Sequence, residues 1–329
     1  MMKKTFVAVV AGGYSGEHSV SLKSAAGILS WLGQDPFATY LVLIEQEGWS
    51  VQIADGKRVP LDKNDFSFEY EGERIRFDYA YITIHGTPGE NGLLQGYLDM
   101  IGIPYSTGDT LVESLTFNKY VCNRFLSGFG IRIADSVRLT ESAVLPDAEG
   151  LIARLGLPLF VKPNVGGSSI ATTKVAQPDK LLPAIAQAFA EGKEVMVERL
   201  ITGTEVTCGA FRREGKIVAL PVTEVVAHNE FFDFDAKYNG AVEEITPARI
   251  SDELTVAIQR LTTAIYEHLN ARGIIRVDYI IEADGVPTLL EVNTTPGMTP
   301  TSFIPQQVRA AGMEMKELLC SIIQEGLSR

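Results

Sequence analysis

The chain has 329 residues, 46% hydrophobic and 21% charged, a mix that excludes a disordered polypeptide and suits a folded protein with a sizeable core. At roughly 150 residues per domain, that length corresponds to about two domains, or three small ones. With 29 Lys and Arg against 41 Asp and Glu, the net charge is −12. That excludes a protein that coats the nucleic-acid backbone, but leaves room for small anions held by a few focused cations.

Phe6–Ala11, preceded by Lys4, has the outline of a signal peptide, but the run is short and enters Gly12-Gly13, so it reads as a buried first strand. Ser19–Leu32 reads as a helix with Ile28, Leu29 and Leu32 on its buried face and Gly33 at its end. Tyr40–Ile44 and Tyr79–Ile84 are further strands, separated by a charged excursion or hairpin over 55–76. This alternation predicts a small open parallel α/β sheet, whose ligands sit beyond the carboxyl ends of its strands. The loops there, Gly12–Ser21 and His85–Gln95, are polar and glycine-rich.

The pattern changes near Gly108–Leu115, where a helix at Lys119–Ser127 is followed by strand Leu157–Lys162, a Gly/Ser loop at Gly166–Ser169, a further strand and a helix at Asp179–Ala190. From Val195 come strands Val195–Glu198 and Glu205–Phe211, then the amphipathic helix Asp252–Ala271, capped by Ser251 and ended by Gly273. Strands Ile275–Ile281 and Thr288–Val292 are joined by an Asp284-Gly285 turn. No stretch approaches the ~18 apolar residues of a membrane helix. Cys122, Cys208 and Cys320 are odd in number and widely spaced, which indicates neither a disulfide framework nor a zinc site. A cytoplasmic protein without a membrane or nucleic-acid partner is expected.

The dinucleotide fingerprint, the P-loop and the G-x-S-x-G elbow are all missing. The strongest local signal is Arg276-Val-Asp278 followed by Glu291-Val-Asn293. Asp278, Glu291 and Asn293 are oxygen donors converging from neighbouring strands, a set suited to Mg²⁺ or Mn²⁺, with Arg276 beside them to stabilise negative charge. The alternative is a solvated hairpin with ordinary surface acids. The glycine of Thr294-Thr295-Pro296-Gly297 can present its N–H to an oxyanion, and Ser302 can receive a carboxylate. Lys119, Lys162 and Lys237 supply positive charge, Lys162 just ahead of a loop of backbone donors that suits phosphate. Any one lysine taken alone is more often a surface residue than a functional one. Glu198 and Glu205 can accept hydrogen bonds from an adenine amino group and ribose hydroxyls, or serve as solvated strand-end acids.

Gly12-Gly13-Tyr14-Ser15-Gly16-Glu17-His18-Ser19-Val20-Ser21, His85-Gly86-Thr87-Pro88-Gly89-Glu90-Asn91-Gly92, Gly167-Ser168-Ser169, Lys237-Tyr238 and Glu291-Val292-Asn293-Thr294-Thr295-Pro296-Gly297-Met298 stand in order along the chain. Together they resemble the D-alanine–D-alanine ligase family of the ATP-grasp superfamily, over about residues 5–315. The resemblance implies α/β and α+β domains in a three-domain ATP-grasp architecture: 1–109 binding substrate, 110–194 as the central ATP-grasp part, and 195–329 as the C-terminal ATP-grasp and metal-binding part. It implies ligation of two D-alanines through an acyl phosphate, for peptidoglycan precursors, by a homodimer using ATP and two Mg²⁺ or Mn²⁺.

By the same resemblance, Asp278, Glu291 and Asn293 hold the metals; Lys119, Lys162 and Lys237 bind phosphates; Glu198 and Glu205 hold the adenosine. Glu17 pairs with the first substrate's ammonium, His85 lies near its carboxylate, and Arg276 with the Gly297 N–H forms the oxyanion site. Ser168, Tyr238 and Glu17 form a group near the second substrate, whose carboxylate Ser302 receives. Five positions depart from the family: Ala171 and Asn91 replace glycine and aspartate, Phe232 and Phe234 replace tyrosines, and Phe303 replaces leucine in the second subsite. Tyr238 is the residue expected for D-alanine as second substrate, where D-lactate users carry phenylalanine. The rival readings are a ligase using D-serine or D-lactate and a regulatory nucleotide-binding protein that has lost catalysis. Retention of Lys162, Arg276, Asp278, Glu291 and Asn293 argues against the latter.

Overall fold

The computed structural model of the chain describes residues 4–141, 148–167, 171–227 and 242–329. The apolar run at the start forms β1 (Thr5–Gly12), buried from Val7 onward. It leads into α1 (His18–Leu32), which stops at Gly33: a φ of 61° there lets the Gly33 N–H donate to Leu29 O. Next come β2 (Phe37–Glu45), β3 (Gly48–Gln52), β4 (Arg58–Pro60), β5 (Ser67–Tyr70), β6 (Glu73–Arg76) and β7 (Tyr79–Ile82). The sheet runs β4-β3-β2-β1-β7, parallel across β2, β1 and β7 and widened on one side by antiparallel β3 and β4.

The excursion over 55–76 includes the β5–β6 hairpin, and more apolar structure than its charge suggests. Phe66, Phe68 and Phe77 are buried, and Phe68 stacks on Phe77 while Tyr40 meets both edge-on. The charged side chains take the outer face, where Arg74 pairs with Asp62 and Asp65.

Then α2 (Leu93–Met100), α3 (Thr110–Phe117) and α4 (Lys119–Ser127) lead to β8 (Ser136–Thr140), α5 (Ala148–Leu155), β9 (Leu159–Pro163), β10 (Thr173–Val175), α6 (Leu181–Glu191) and β11 (Glu194–Arg199). These four strands form an antiparallel sheet in the order β10-β9-β11-β8, with α5 and α6 packed on it.

The remaining elements are β12 (Thr204–Arg213), β13 (Lys216–Ala219), β14 (Thr223–Ala227), β15 (Val242–Ile245), α7 (Asp252–His268), β16 (Ile274–Ile281), β17 (Pro287–Asn293), α8 (Phe303–Ala310) and α9 (Met315–Leu327). The strands form the antiparallel sheet β15-β14-β12-β16-β17, with β13 also on β12. Ser251 caps α7 as expected, its Oγ accepting from Leu254 N. The helix closes earlier than Gly273: Asn270 takes a φ of 49° and Ala271 N reaches back to Tyr266 O. Gly273 serves another purpose, since a Cβ there would stand 1.7 Å from Ser106 O. α1, α8 and α9 share a core with one face of the first sheet, which brings the 294–302 loop against α1. A Cβ on Gly27 of α1 would meet Met298 O at 2.4 Å, and Met298 N donates to Ser24 Oγ.

Candidate active site

A cleft of about 680 Å³ opens where the three sheets meet. Its lining includes Glu17, Lys119, Lys162, Glu198 and Glu205. Arg276, Asp278, Glu291 and Phe303 also face it, so nine of the expected site residues from distant parts of the chain share one cavity. Ser168, Lys237 and Tyr238, with Phe232 and Phe234, lie outside the described residues.

The two glycine-rich loops meet at one wall of this cleft. Ser15 Oγ donates to His85 O at 2.8 Å, and Tyr14 N to Thr87 O at 2.8 Å. His85 itself is buried behind the wall that Gly86 and Thr87 line. Glu17 opens α1 and abuts the backbone of the phosphate-type loop: a Cβ on Gly167 would lie 2.8 Å from Glu17 Oε2. Ala171, at the far side of that loop, adopts a φ of 52°, a left-handed conformation that its methyl disfavours by about 1–2 kcal/mol but does not forbid.

The lysines are placed by register and capping. Lys162 lies opposite Met196 on the β9–β11 ladder, so Glu198 stands diagonally across on the same face. Lys162 Nζ meets Glu198 Oε1 at 2.6 Å. Burial works against the Lys162 charge, but the Glu198 carboxylate outweighs it and holds the pKa above the ordinary lysine value. Lys119 begins α4, whose cap Asn118 accepts from Val121 N. Its ammonium donates to Gly166 O and lies 3.7 Å from Glu291 Oε2. Asn164 ties these pieces together, with its carbonyl receiving Lys119 N and its side-chain amide reaching Asn118 and Glu194.

On the β16–β17 hairpin, Arg276 lies opposite Asn293 and Asp278 opposite Glu291, so all four share the cleft face. The register shifts just beyond Asp278, leaving Leu290 as an extra residue; Leu290 and Glu291 both reach the cleft while Leu289 and Val292 stay in the core. Arg276 grips Asp278 with two bonds, Nε to Oδ1 at 2.8 Å and a terminal NH₂ to Oδ2 at 2.7 Å. Thr207 Oγ1 adds a bond to Oδ1 at 2.6 Å, and Asn293 Nδ2 one to Oδ2 at 3.0 Å. Burial opposes the Arg276 charge, but Asp278 and then Glu291 outweigh it and hold the pKa above the ordinary arginine value. Phe303 faces this group: the Arg276 guanidinium sits 5.1 Å from its ring centre. The departure from leucine thus supports the arginine.

Two carboxylates and an amide on one face suit a hard cation that keeps water and phosphate oxygens in its shell. Among the described residues no three His, Cys, Asp or Glu side chains gather to hold a metal, so the amide of Asn293 is needed to complete the set. The four acceptor positions of Asp278 are taken by Arg276, Thr207 and Asn293. Turning the Asn293 amide would free one of them and offer Oδ1 as a donor atom.

Gly297 and Ser302 sit together one step further along, and a Cβ on Gly297 would lie 3.0 Å from Ser302 Oγ. That hydroxyl pairs with Thr299 Oγ1 at 2.8 Å and accepts from Thr299 N. Sequence reasoning missed three further polar residues here. Thr207 follows Glu205 by one period of β12, a signal that strand alternation offers. Glu113 of α3 is fully buried and accepts from Thr294 Oγ1 at 2.6 Å; burial drives its pKa well up. Glu90 accepts from Gly86 N at 2.6 Å, and burial, opposed by that bond, pushes its carboxyl up to about 8.

Comparison with known proteins gives a consistent result. Residues 6–108 match the family model described as D-ala D-ala ligase N-terminus, and residues 125–324 the one described as D-ala D-ala ligase C-terminus. A D-alanine–D-alanine ligase of Porphyromonas gingivalis is 81% identical over 327 residues, covering 99% of both chains. The crystal structure of D-alanyl-alanine synthetase A from Vibrio cholerae superimposes with a TM-score of 0.88 at 29% identity, over 100% of both chains. A D-alanine–D-alanine ligase from Bacillus anthracis complexed with ATP gives 0.78 at 28% identity, over 98% of both.

Proposed function

Because the chain belongs to the D-alanine–D-alanine ligase family and has its ATP-grasp fold, we infer that it joins two D-alanines to D-alanyl-D-alanine with conversion of ATP to ADP and phosphate. It is an ATP-dependent carboxylate–amine ligase serving peptidoglycan synthesis. The observation that carries this reading is 81% identity sustained over 327 residues, with motif residues from both matched regions facing one cleft.

The chemistry needs one carboxylate activated as an acyl phosphate and one amine delivered to it. Lys119 and Lys162, which both line the cleft, would hold phosphates, with Lys237 assigned the same task by its motif. Lys162 is kept charged by Glu198, so that pair acts as a unit, and Glu205 would take part of the adenosine. Asp278, Glu291 and Asn293 would hold two Mg²⁺ or Mn²⁺ ions, which when bound neutralise phosphate charge and favour in-line transfer.

Glu17 would bind the first ammonium and His85 would stand near the first carboxylate. Arg276 and the Gly297 N–H would stabilise the oxyanion of the tetrahedral intermediate. Arg276 is pre-aligned for that by Asp278 below and Phe303 beside it. Ser168, Tyr238 and Glu17 would orient the second D-alanine, and Ser302 would receive its carboxylate with Phe303 shaping that subsite.

We place the division into three domains at 1–109, 110–194 and 195–329, and assign a homodimer in the cytoplasm, on the family resemblance. No helix among the described residues is long and apolar enough to cross a membrane. The test is a coupled assay with Mg²⁺ and ATP, in which ADP should appear only when D-alanine is present. ATP binding without D-alanine-dependent ADP release would contradict the reading.

A further inference from the structure

β12 has a gap on one edge. β14 pairs with it through Thr207 and β13 from Ala210, so among the described residues Cys208 and Gly209 have no ladder partner on that side. Gly209 O on this edge accepts from Leu220 N at 2.8 Å, just past β13, but Gly209 N and Thr207 O are met instead by a side chain from α8. Gln307 is fully buried; its Oε1 accepts from Gly209 N at 2.9 Å, and its Nε2 donates to Thr207 O at 3.1 Å. A primary amide carries the same donor and acceptor as a peptide unit, so Gln307 completes the ladder where two strands part. The second Nε2 hydrogen goes to Thr223 Oγ1 at 3.1 Å, at the root of β14.

Two further features make this contact specific. Gly209 has no side chain where one would obstruct α8: a Cβ would lie 2.6 Å from Ile304 Cδ1 and 2.8 Å from Gln307 Oε1. Phe303, one turn before Gln307 on the same helical face, touches Arg276. Arg276 and Thr207 both bond Asp278. Two residues of one helix therefore reach the same carboxylate by separate routes, Phe303 through Arg276 and Gln307 through Thr207.

We propose that Gln307 is a positioning residue for the ligation reaction: it fixes Thr207, and through it the Asp278 carboxylate, in the orientation that holds the catalytic cation. The inference rests on the assignment of Asp278 to the metal site. Gln307 touches neither substrate nor cation, and its effect is on how Asp278 is presented.

The test measures Mn²⁺ binding to the full chain with ADP and no D-alanine, by electron paramagnetic resonance, so that no turnover is involved. Gln307→Met keeps the length and loses all three hydrogen bonds; Mn²⁺ affinity should fall about tenfold, the scale expected when a partner that orients a metal ligand is removed. Gln307→Glu keeps the shape of the side chain, an acceptor for Gly209 N and, as a buried protonated acid, one donor for Thr207 O; its affinity should fall less. Thr207→Val should match Gln307→Met, and the double variant should be little worse than either, because the two act in series. In turnover, kcat and the Mg²⁺ activation constant should change while KM for D-alanine stays nearly constant.

Wild-type Mn²⁺ affinity in both Gln307 variants, with Asp278→Asn defective, would overturn this inference and leave the metal assignment standing. Wild-type affinity in Asp278→Asn would overturn the metal assignment and this inference with it.

Discussion

Arg276 and Asp278, two residues apart on β16, form a two-point ion pair in which each side chain is only 13% exposed. A lysine at 276 would preserve the charge but has no planar fork to match the carboxylate. Arg276→Lys should therefore lower kcat about 100-fold, the scale of losing one oxyanion donor, with a smaller change in KM for ATP. Steady-state kinetics with each substrate varied in turn would check this; near-normal kcat would refute the assigned role.

The Lys162–Glu198 pair gives a pH-dependent prediction. The raised Lys162 pKa means that the pair contributes its full stability below the free-lysine value and loses it only as pH climbs through the raised one. In Glu198→Gln, burial acts on the ammonium with only the Glu291 charge opposing it, and the pKa falls. KM for ATP should rise about tenfold at neutral pH, the loss expected for a hydrogen bond to a charged group, and climb further in mildly alkaline buffer. A KM profile parallel to wild type across that range would contradict the pairing.

Glu90 is also raised, but by burial and not by a counter-charge. Burial raises its carboxyl to about 8, so the folded state prefers the protonated form. Above the free glutamate value, folding has to retain a proton that the unfolded chain gives up, and stability drains away as pH rises from about 4.5 toward 8. Glu90→Gln removes that dependence. The Tm difference between variant and wild type, without ligands, should shift in the variant's favour between pH 6 and about 8. A constant difference would show that Glu90 is ionised throughout.

Gly167 allows the phosphate-type loop to lie against Glu17, where a methyl would come within 2.8 Å of the carboxylate. Gly167→Ala should displace Glu17 and lower kcat/KM for D-alanine by on the order of tenfold or more, a typical effect of ångström-scale misplacement. ATP binding, measured separately by calorimetry, should change less. Equal losses for ATP and D-alanine would assign Gly167 to the loop alone.

The parts of this protein that announced themselves in sequence are those that obey a short period or a fixed motif. β1 and α1 followed from an apolar run, a helical stripe and Gly33. The convergence of Arg276, Asp278, Glu291 and Asn293 followed from alternation on two joined strands. What stayed hidden depends on tertiary context. The extra residue Leu290 in β17 leaves no compositional mark, because a bulge inserts an ordinary residue into an ordinary strand. The aromatic core of Phe66, Phe68 and Phe77 was masked by the charges interleaved with it. Gln307 reads as a polar helix residue until β12 is seen to lack a neighbour beside it. Lys162 and Glu198 were separately visible as charged strand residues, but their pairing needed the register of β9 on β11.

The central claim is the ligation of two D-alanines at this cleft. The most direct measurement supplies the purified chain with Mg²⁺, ATP and D-alanine, alone and in equimolar mixture with D-serine or D-lactate, and identifies products by mass spectrometry alongside ADP. The account predicts D-alanyl-D-alanine as the main product in every mixture, with one ADP formed per dipeptide. ATP binding without product, or a mixed D-alanyl-D-serine or D-alanyl-D-lactate product in excess, would contradict it.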